Sequence, residues 1–274
     1  MTVSRTAYAL SLQPLPERFR LEADWRALES RAQASFFTSW SWIGVWLDTL
    51  PPSVQPRLLQ ARQGEQVVGL ALVVDGPSRQ RFGMHFCRTA FLHATGQPEY
   101  DILTVEHNDF LLDKEQAEAV RAAMLGHWLA QLRGVTEVTL PGLAGSGWSA
   151  GIEQAGARKV TREDWVRRSY AVDLGAVREA GGDFLKLISA NSRSQIRRSM
   201  KEYARVGPLT LEPATSVAQG LDWLDRLAAL HQAHWVAQGE PGAFSNPFFT
   251  RFHRALVEQH LLDGGVQLLR IALG

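Results

Sequence analysis

The apolar run Val67 to Val74 follows a shorter one, Arg57 to Ala61, across Arg62-Gln-Gly-Glu-Gln66. Two strand-length runs joined by a Gly-centred turn are a hairpin signature, and Gly64 supplies the turn. Val67 to Val74 is the longest clear apolar run and Gly69 interrupts it, so no segment approaches the roughly 18 residues of a spanning helix.

Those segments alternate. Leu21 to Ala34 reads as a helix, and Phe36 to Leu50 as a second, with Phe36, Trp40, Ile43 and Leu47 at helical spacing and Pro51-Pro52 behind it. Phe82 to Leu92 and Tyr100 to Glu106 read as strands, Gln116 to Arg133 as a helix stopped by Gly134, and Val135 to Leu140 as a strand. Trp148 to Ala155 reads as a short helix and Val166 to Leu174 as a closing strand. The order then restarts, with helices at 184–205, 221–238 and 246–262 and strands at 209–212 and 266–273. Helices layered on a sheet make this a mixed α/β (α+β) fold. At 274 residues, two domains are expected, 1–175 and 176–274, the second opened but not finished within the sequence.

Lys and Arg number 29 against 28 Asp and Glu, so no global field draws the chain to nucleic acid or an anionic membrane. Lone Cys87 excludes an internal disulfide and a multi-cysteine zinc site, and is read as a small buried hydrophobe. The N-terminal segment lacks the apolar core and cleavage site of a signal peptide, and a cytoplasmic location is expected.

Charge is instead local. Arg193, Arg197, Arg198, Lys201 and Arg205 are spaced to share one helix side, and guanidinium forks suit phosphate or carboxylate. About thirty residues later stand His231-Gln-Ala-His-Trp235 and Gly239-Glu-Pro-Gly-Ala-Phe244. His231 and His234 face the same way with no third ligand at a metalloprotease spacing, so no metal is expected. Each is read either as a structural imidazole or as a general base. Asp101, Glu106 and Asn108 form a polar patch expected at a strand end, with binding and capping readings both open. Two glycine motifs are read as decoys. Gln66-Val-Val-Gly-Leu-Ala71 continues as a strand where a phosphate loop needs a helix, and Gly142 to Gly147 has the wrong glycine order for a dinucleotide fingerprint.

Phe36 to Trp46, Thr95 to Asp101 with Glu106-His-Asn108, Ser192 to Arg205, and His231 to Phe252 together resemble the CelD/BcsL-type acyltransferases. That GNAT-like family is named for cellulose biosynthesis and is similar in architecture to the FemABX aminoacyl transferases. The resemblance runs from about Leu21 to Gly274. It implies tandem GNAT-like domains, the first degenerate in cofactor binding and the second holding acetyl-CoA or another acyl-CoA. It also implies direct transfer of the acyl group to an amine or hydroxyl of a small molecule or glycan, in polysaccharide or cell-envelope metabolism. On this reading His231, His234 and Glu106 serve the chemistry. Arg193, Arg197, Arg198, Asp101, Asn108, Trp235 and Phe244 bind the reactants. The second domain's remaining strands fall beyond Leu273, so activity is expected to need the continuation of the chain. Two alternatives remain open: a non-catalytic module whose arginines dock on an anionic partner, and a tRNA-dependent aminoacyl transferase.

Overall fold

The computed structural model describes residues 8–77, 79–81, 84–132, 137–143, 148, 152 and 170–273, with only the backbone for 79–81 and 84–87. The mixed α/β expectation holds. The chain forms two compact units, one of Met1–Val160 with Ser216–Val266, the other of Thr161–Thr215 with Gln267–Gly274.

In the first unit, β1 (Ala9–Pro14) leads into α1 (Arg18–Glu29), a 3-10 turn (Phe36–Thr38) and α2 (Trp40–Thr49). The expected helix 36–50 is broken at Ser39, whose side chain caps Trp42 N of α2. There follow β2 (Arg57–Gln63), β3 (Gln66–Asp75), β4 (Arg79–Arg81), β5 (Met84–Cys87), β6 (Thr89–Leu92), β7 (Leu111–Leu112), α3 (Ala117–Gln131) and β8 (Glu137–Thr139). The sheet order is β1-β2-β3-β6-β8, with β7 also on β3. Neighbours are antiparallel except β6 and β8, whose parallel pairing needs the crossover that α3 supplies.

Each face of the sheet buries its own core. Leu58, Leu70, Leu72 and Val74 pack under Trp25 of α1 and Trp40, Ile43 and Trp46 of α2, while Leu59, Ala71 and Val73 pack under Val120, Met124 and Trp128 of α3. The aromatic stripe of 36–50 is thus core, apart from the partly exposed Phe36. A register shift at Ala61/Arg62 places Gly69 under α3. A Cβ there would run into Met124 Sδ and Val120, so this glycine sets the distance of helix from sheet.

The second unit holds α4 (Leu174–Glu179), a 3-10 turn (Phe184–Lys186), α5 (Ala190–Val206), β9 (Leu209–Pro213) and, at the far end of the chain, β10 (Leu269–Leu273), antiparallel to β9. Between β9 and β10 in sequence lie α6 (Val217–Ala237), a 3-10 turn (Ala243–Ser245) and α7 (Pro247–His260), which belong to the first unit. Here the packing departs from the 1–175/176–274 division, because Phe248, Phe252 and Leu256 enter the core beside Trp42, with Trp42 and Phe252 rings 4.7 Å apart.

Other expectations are corrected. Tyr100 to Glu106 is not a strand but a 3-10 turn (Asp101–Leu103), and Phe184 to Arg205 breaks at Ser189, which caps Ser192 N of α5. Leu174 opens α4 behind the Asp173 cap rather than closing a strand. Residues 161–169, most of 148–155 and 144–147 lie outside the described residues, as does the side chain of Cys87.

The structure also exposes an internal repeat. The series β1, α1, 3-10 turn, α2, β2 is matched in order by β9, α6, 3-10 turn, α7, β10. Leu10-Ser-Leu-Gln-Pro14 parallels Leu209-Thr-Leu-Glu-Pro213, and the registers agree, with Pro14 opposite Arg57 and Pro213 opposite Leu269. Surroundings differ: Leu59 is 0% exposed, and Ile271 at the equivalent register is 71% exposed.

Candidate active site

Helix α6 starts at the Ser216 cap and presents His231, His234 and Trp235 in its last turns. Gly239 (φ 81°) ends it, and Gln232 reaches across the loop to donate Nε2–H to Pro241 O at 2.7 Å. Gly242, also at positive φ, lies so close that a Cβ would strike the Gln232 amide. Asn246 then caps α7, accepting from Phe248 N (2.8 Å) and Phe249 N (3.1 Å) and donating to Glu99 O (2.9 Å). The loop of residues 99–101 is thereby tied to the α7 N-terminus, where Tyr100 and Phe248 also pack edge to face at 5.1 Å.

Hydrogen bonds fix the protons on the imidazoles. The Gln232 amide nitrogen is spent on Pro241, so its Oε1 must accept, and His231 Nδ1 donates to it at 3.2 Å. In the neutral ring the lone pair therefore falls on His231 Nε2, and the ring packs on Phe244 at 5.3 Å and Trp235 at 5.9 Å. His234 is different. Its Nε2 lies 2.8 Å from the Gln238 amide nitrogen, which can only donate, so that lone pair is occupied. The ring edge that would act as a base on exposed His234 is thus already in use.

Phe244 is the common wall. It touches His231, Phe249 (5.1 Å) and His253 (6.4 Å), and it lines a pocket of about 500 Å³ with Pro247, Thr250, Arg251, Arg254 and Glu258. Arg254 is paired to Asp225 of α6 at 2.6 Å, and Arg251 donates to Thr49 O. Sequence reasoning missed His253 because a lone histidine on an aromatic helix face carries no motif.

The 93–108 loop holds its polar groups inward. Asp101 accepts from Thr95 N, Thr95 Oγ1 and Gly96 N at 2.7–2.9 Å, which winds the expected strand into a turn. Asn108 is fully buried. Its Nδ2 donates to Leu92 O and Pro141 O, joining the chain leaving β6 to the chain leaving β8, and its Oδ1 accepts from His93 Nδ1 at 2.8 Å. Both N–H donors of that amide and one lone pair of its oxygen are spent on the fold, so Asn108 acts as a structural tie. Glu106 is exposed, with no ion pair among the described residues. His93, which sequence reasoning also missed, is wholly buried with Nε2 unpartnered, and desolvation pushes its pKa down to about 4.

In the second unit, α5 divides into two sides. Ile196, Met200 and Tyr203 line an apolar groove with Leu209 and Ile271, while Arg197, Arg198, Lys201 and Arg205 point away from it by helical geometry. Arg193 leaves that row, donating Nε–H to Leu185 O (2.8 Å) and Nη2–H to Ile188 O (3.1 Å), which closes the preceding turn. Arg205 pairs with Glu202. Arg197, Arg198 and Lys201 make no ion pair among the described residues. The structure thus assigns the arginines to the second unit and the remaining expected site residues to the first.

Residues 190–274 match the acetyltransferase (GNAT) domain family. The chain accordingly carries a GNAT-type acyltransferase domain whose sequence takes in the α5 arginines, both helices around the Phe244 turn, and β10. A ribosomal-protein-alanine N-acetyltransferase from Brucella melitensis biovar Abortus 2308 aligns with 61% of this chain and all of its own, at 13% identity and a TM-score of 0.33, a likeness too low to bear on the GNAT domain's chemistry. No curated protein matches the chain. Among the described residues no cluster of His, Cys, Asp or Glu could hold a metal, and no helix is long and apolar enough to cross a membrane.

Proposed function

We propose that the protein transfers an acyl group from acetyl-CoA or another acyl-CoA to an amine or hydroxyl of a small molecule or glycan, in the cytoplasm. A CelD/BcsL-type role in polysaccharide or cell-envelope metabolism fits the resemblance of the Ser192–Arg205 and His231–Phe252 segments. The GNAT-family match over 190–274 carries this reading. The acceptor nucleophile attacks the thioester carbonyl directly, and an unprotonated imidazole of the Phe244 cluster takes its proton. His231 lies in that cluster, packed on Phe244. Trp235 and Phe244 wall the acceptor, and Glu106 has a carboxylate free to orient it. Arg197 and Arg198, in the second unit, offer guanidiniums that suit an anionic group. The repeat supports two GNAT-like halves.

Titration calorimetry of acetyl-CoA into the full-length protein tests this. Saturable heat is expected; folded protein that gives no heat at millimolar donor overturns it. Arg197 and Arg198 of exposed α5, which make no ion pair among the described residues, favour one competing reading, a module that docks on an anionic partner. On that reading Arg197→Gln with Arg198→Gln abolishes partner capture and there is no turnover to lose.

A further inference from the structure

Aligning the helix caps of the repeat, Ser39 of α2 with Asn246 of α7, sets Trp46 against His253. Trp46 is core, 3% exposed. In the second copy the same place in the helix holds a half-buried imidazole, while Phe249 stands where α2 has Trp42, and Phe248 and Phe252 stand where it has Ser41 and Val45. Exchanging a core indole for an imidazole forfeits buried apolar area. Neighbouring positions change the same way, with Thr250 for Ile43 and Arg254 for Leu47.

His253 Nδ1 lies 2.8 Å from Phe249 O. A carbonyl oxygen only accepts, so Nδ1 carries the hydrogen and Nε2 the lone pair. Nε2 has no partner among the described residues. The ring is fixed 4.0 Å from the Phe249 ring and 6.4 Å from Phe244, the residue that also packs on His231. Burial pushes its pKa below the ordinary imidazole value, which leaves it neutral at pH 7. The titratable and charged groups on the elements packed around it include His231, across Phe244, and the Arg254–Asp225 pair.

We propose that His253 Nε2 is the atom that accepts the proton of the acyl acceptor, with His231 orienting that acceptor. This rests on the acyltransferase reading. The acceptor nitrogen or oxygen bonds to the thioester carbonyl carbon, the carbon–sulfur bond breaks, and CoA leaves as thiolate. The acceptor's proton passes to His253 Nε2 and from there to the thiolate or water.

Two measurements on the full-length protein test it. Long-range proton–nitrogen NMR correlations, assigned with His253→Gln, should show the Nδ1–H tautomer at pH 7 and a titration midpoint below about 6.5. An Nε2–H tautomer, or a midpoint at or above that value, overturns the proposal. Release of CoA thiol from acetyl-CoA, with a panel of amino sugars and with water as acceptors, should fall about 10²–10⁴-fold in kcat for His253→Gln. KM for acetyl-CoA should stay unchanged, and the acidic limb of the pH profile should vanish. His253→Trp, which restores the residue of the first copy, should fold at least as stably and be as inactive. Wild-type turnover that survives His253→Gln sinks this inference alone. A wild type that neither binds nor turns over acetyl-CoA sinks the acyltransferase reading and this inference with it.

Discussion

His93 and Asn108 show how one buried pair can govern both geometry and pH response. His93 adopts φ 49°, a conformation uncommon outside glycine, and Thr104 and His107 in the same loop do likewise. Asn108 bridging Leu92 O and Pro141 O holds that backbone in place. Since burial lowers the His93 pKa from 6.5 to about 4, the unfolded chain binds a proton there before the folded one does. Its contribution is therefore complete above about pH 6.5 and lost as pH falls toward 4, by roughly 3 kcal/mol across that window. Urea unfolding between pH 7.5 and 4.5 should show this fall in the wild type. His93→Asn tolerates the positive φ and cannot titrate, so it should be flatter over the same range; equal slopes would rule the pair out as the source.

Helix caps and close approaches carry the next level. Asn246 stops the 3-10 turn, starts α7 and reaches Glu99, so Asn246→Ala should cost about 1 kcal/mol in denaturant unfolding and lower turnover by disordering the Phe244 wall. Gly69→Ala places a methyl where Met124 and Val120 already sit, and a loss of about 1–3 kcal/mol is expected. An unchanged midpoint for Gly69→Ala would mean that α3 can move away freely. Elements such as these were legible to different degrees. The hairpin, α3, α6 and α7 followed from periodicity and stop residues. β1 was missed because its Leu10 and Leu12 alternate over only six residues. The 3-10 turns at 36–38, 101–103 and 184–186 were read as helix or strand because short side chains, Ser39, Asp101 and Ser189, redirect the backbone through local hydrogen bonds that no apolar pattern records.

At the scale of the molecule, the family match falls on residues 190–274, which hold the α5 arginines and the α6 histidines, but the sequence assigned roles by residue type alone. Which imidazole has an open Nε2 depends on Gln232, Gln238 and Phe249 O, and which arginine is spent depends on Leu185 O and Ile188 O; neither can be read without coordinates. If Arg197 and Arg198 hold an anionic part of the donor, Arg197→Gln with Arg198→Gln should weaken acetyl-CoA binding about 10–100-fold and reduce its salt dependence, whereas Arg193→Gln should chiefly lower stability. Equal effects on binding from all three would contradict that assignment.

Initial rates of CoA thiol release from acetyl-CoA, compared among the full-length wild type, His234→Gln and the His231→Gln/His253→Gln double variant, give the most direct test of the Phe244 cluster as the catalytic centre. With folding verified for each, the double variant should lose about 10²–10⁴-fold in rate while His234→Gln stays within about twofold. An undiminished rate in the double variant would place the proton transfer elsewhere in the molecule.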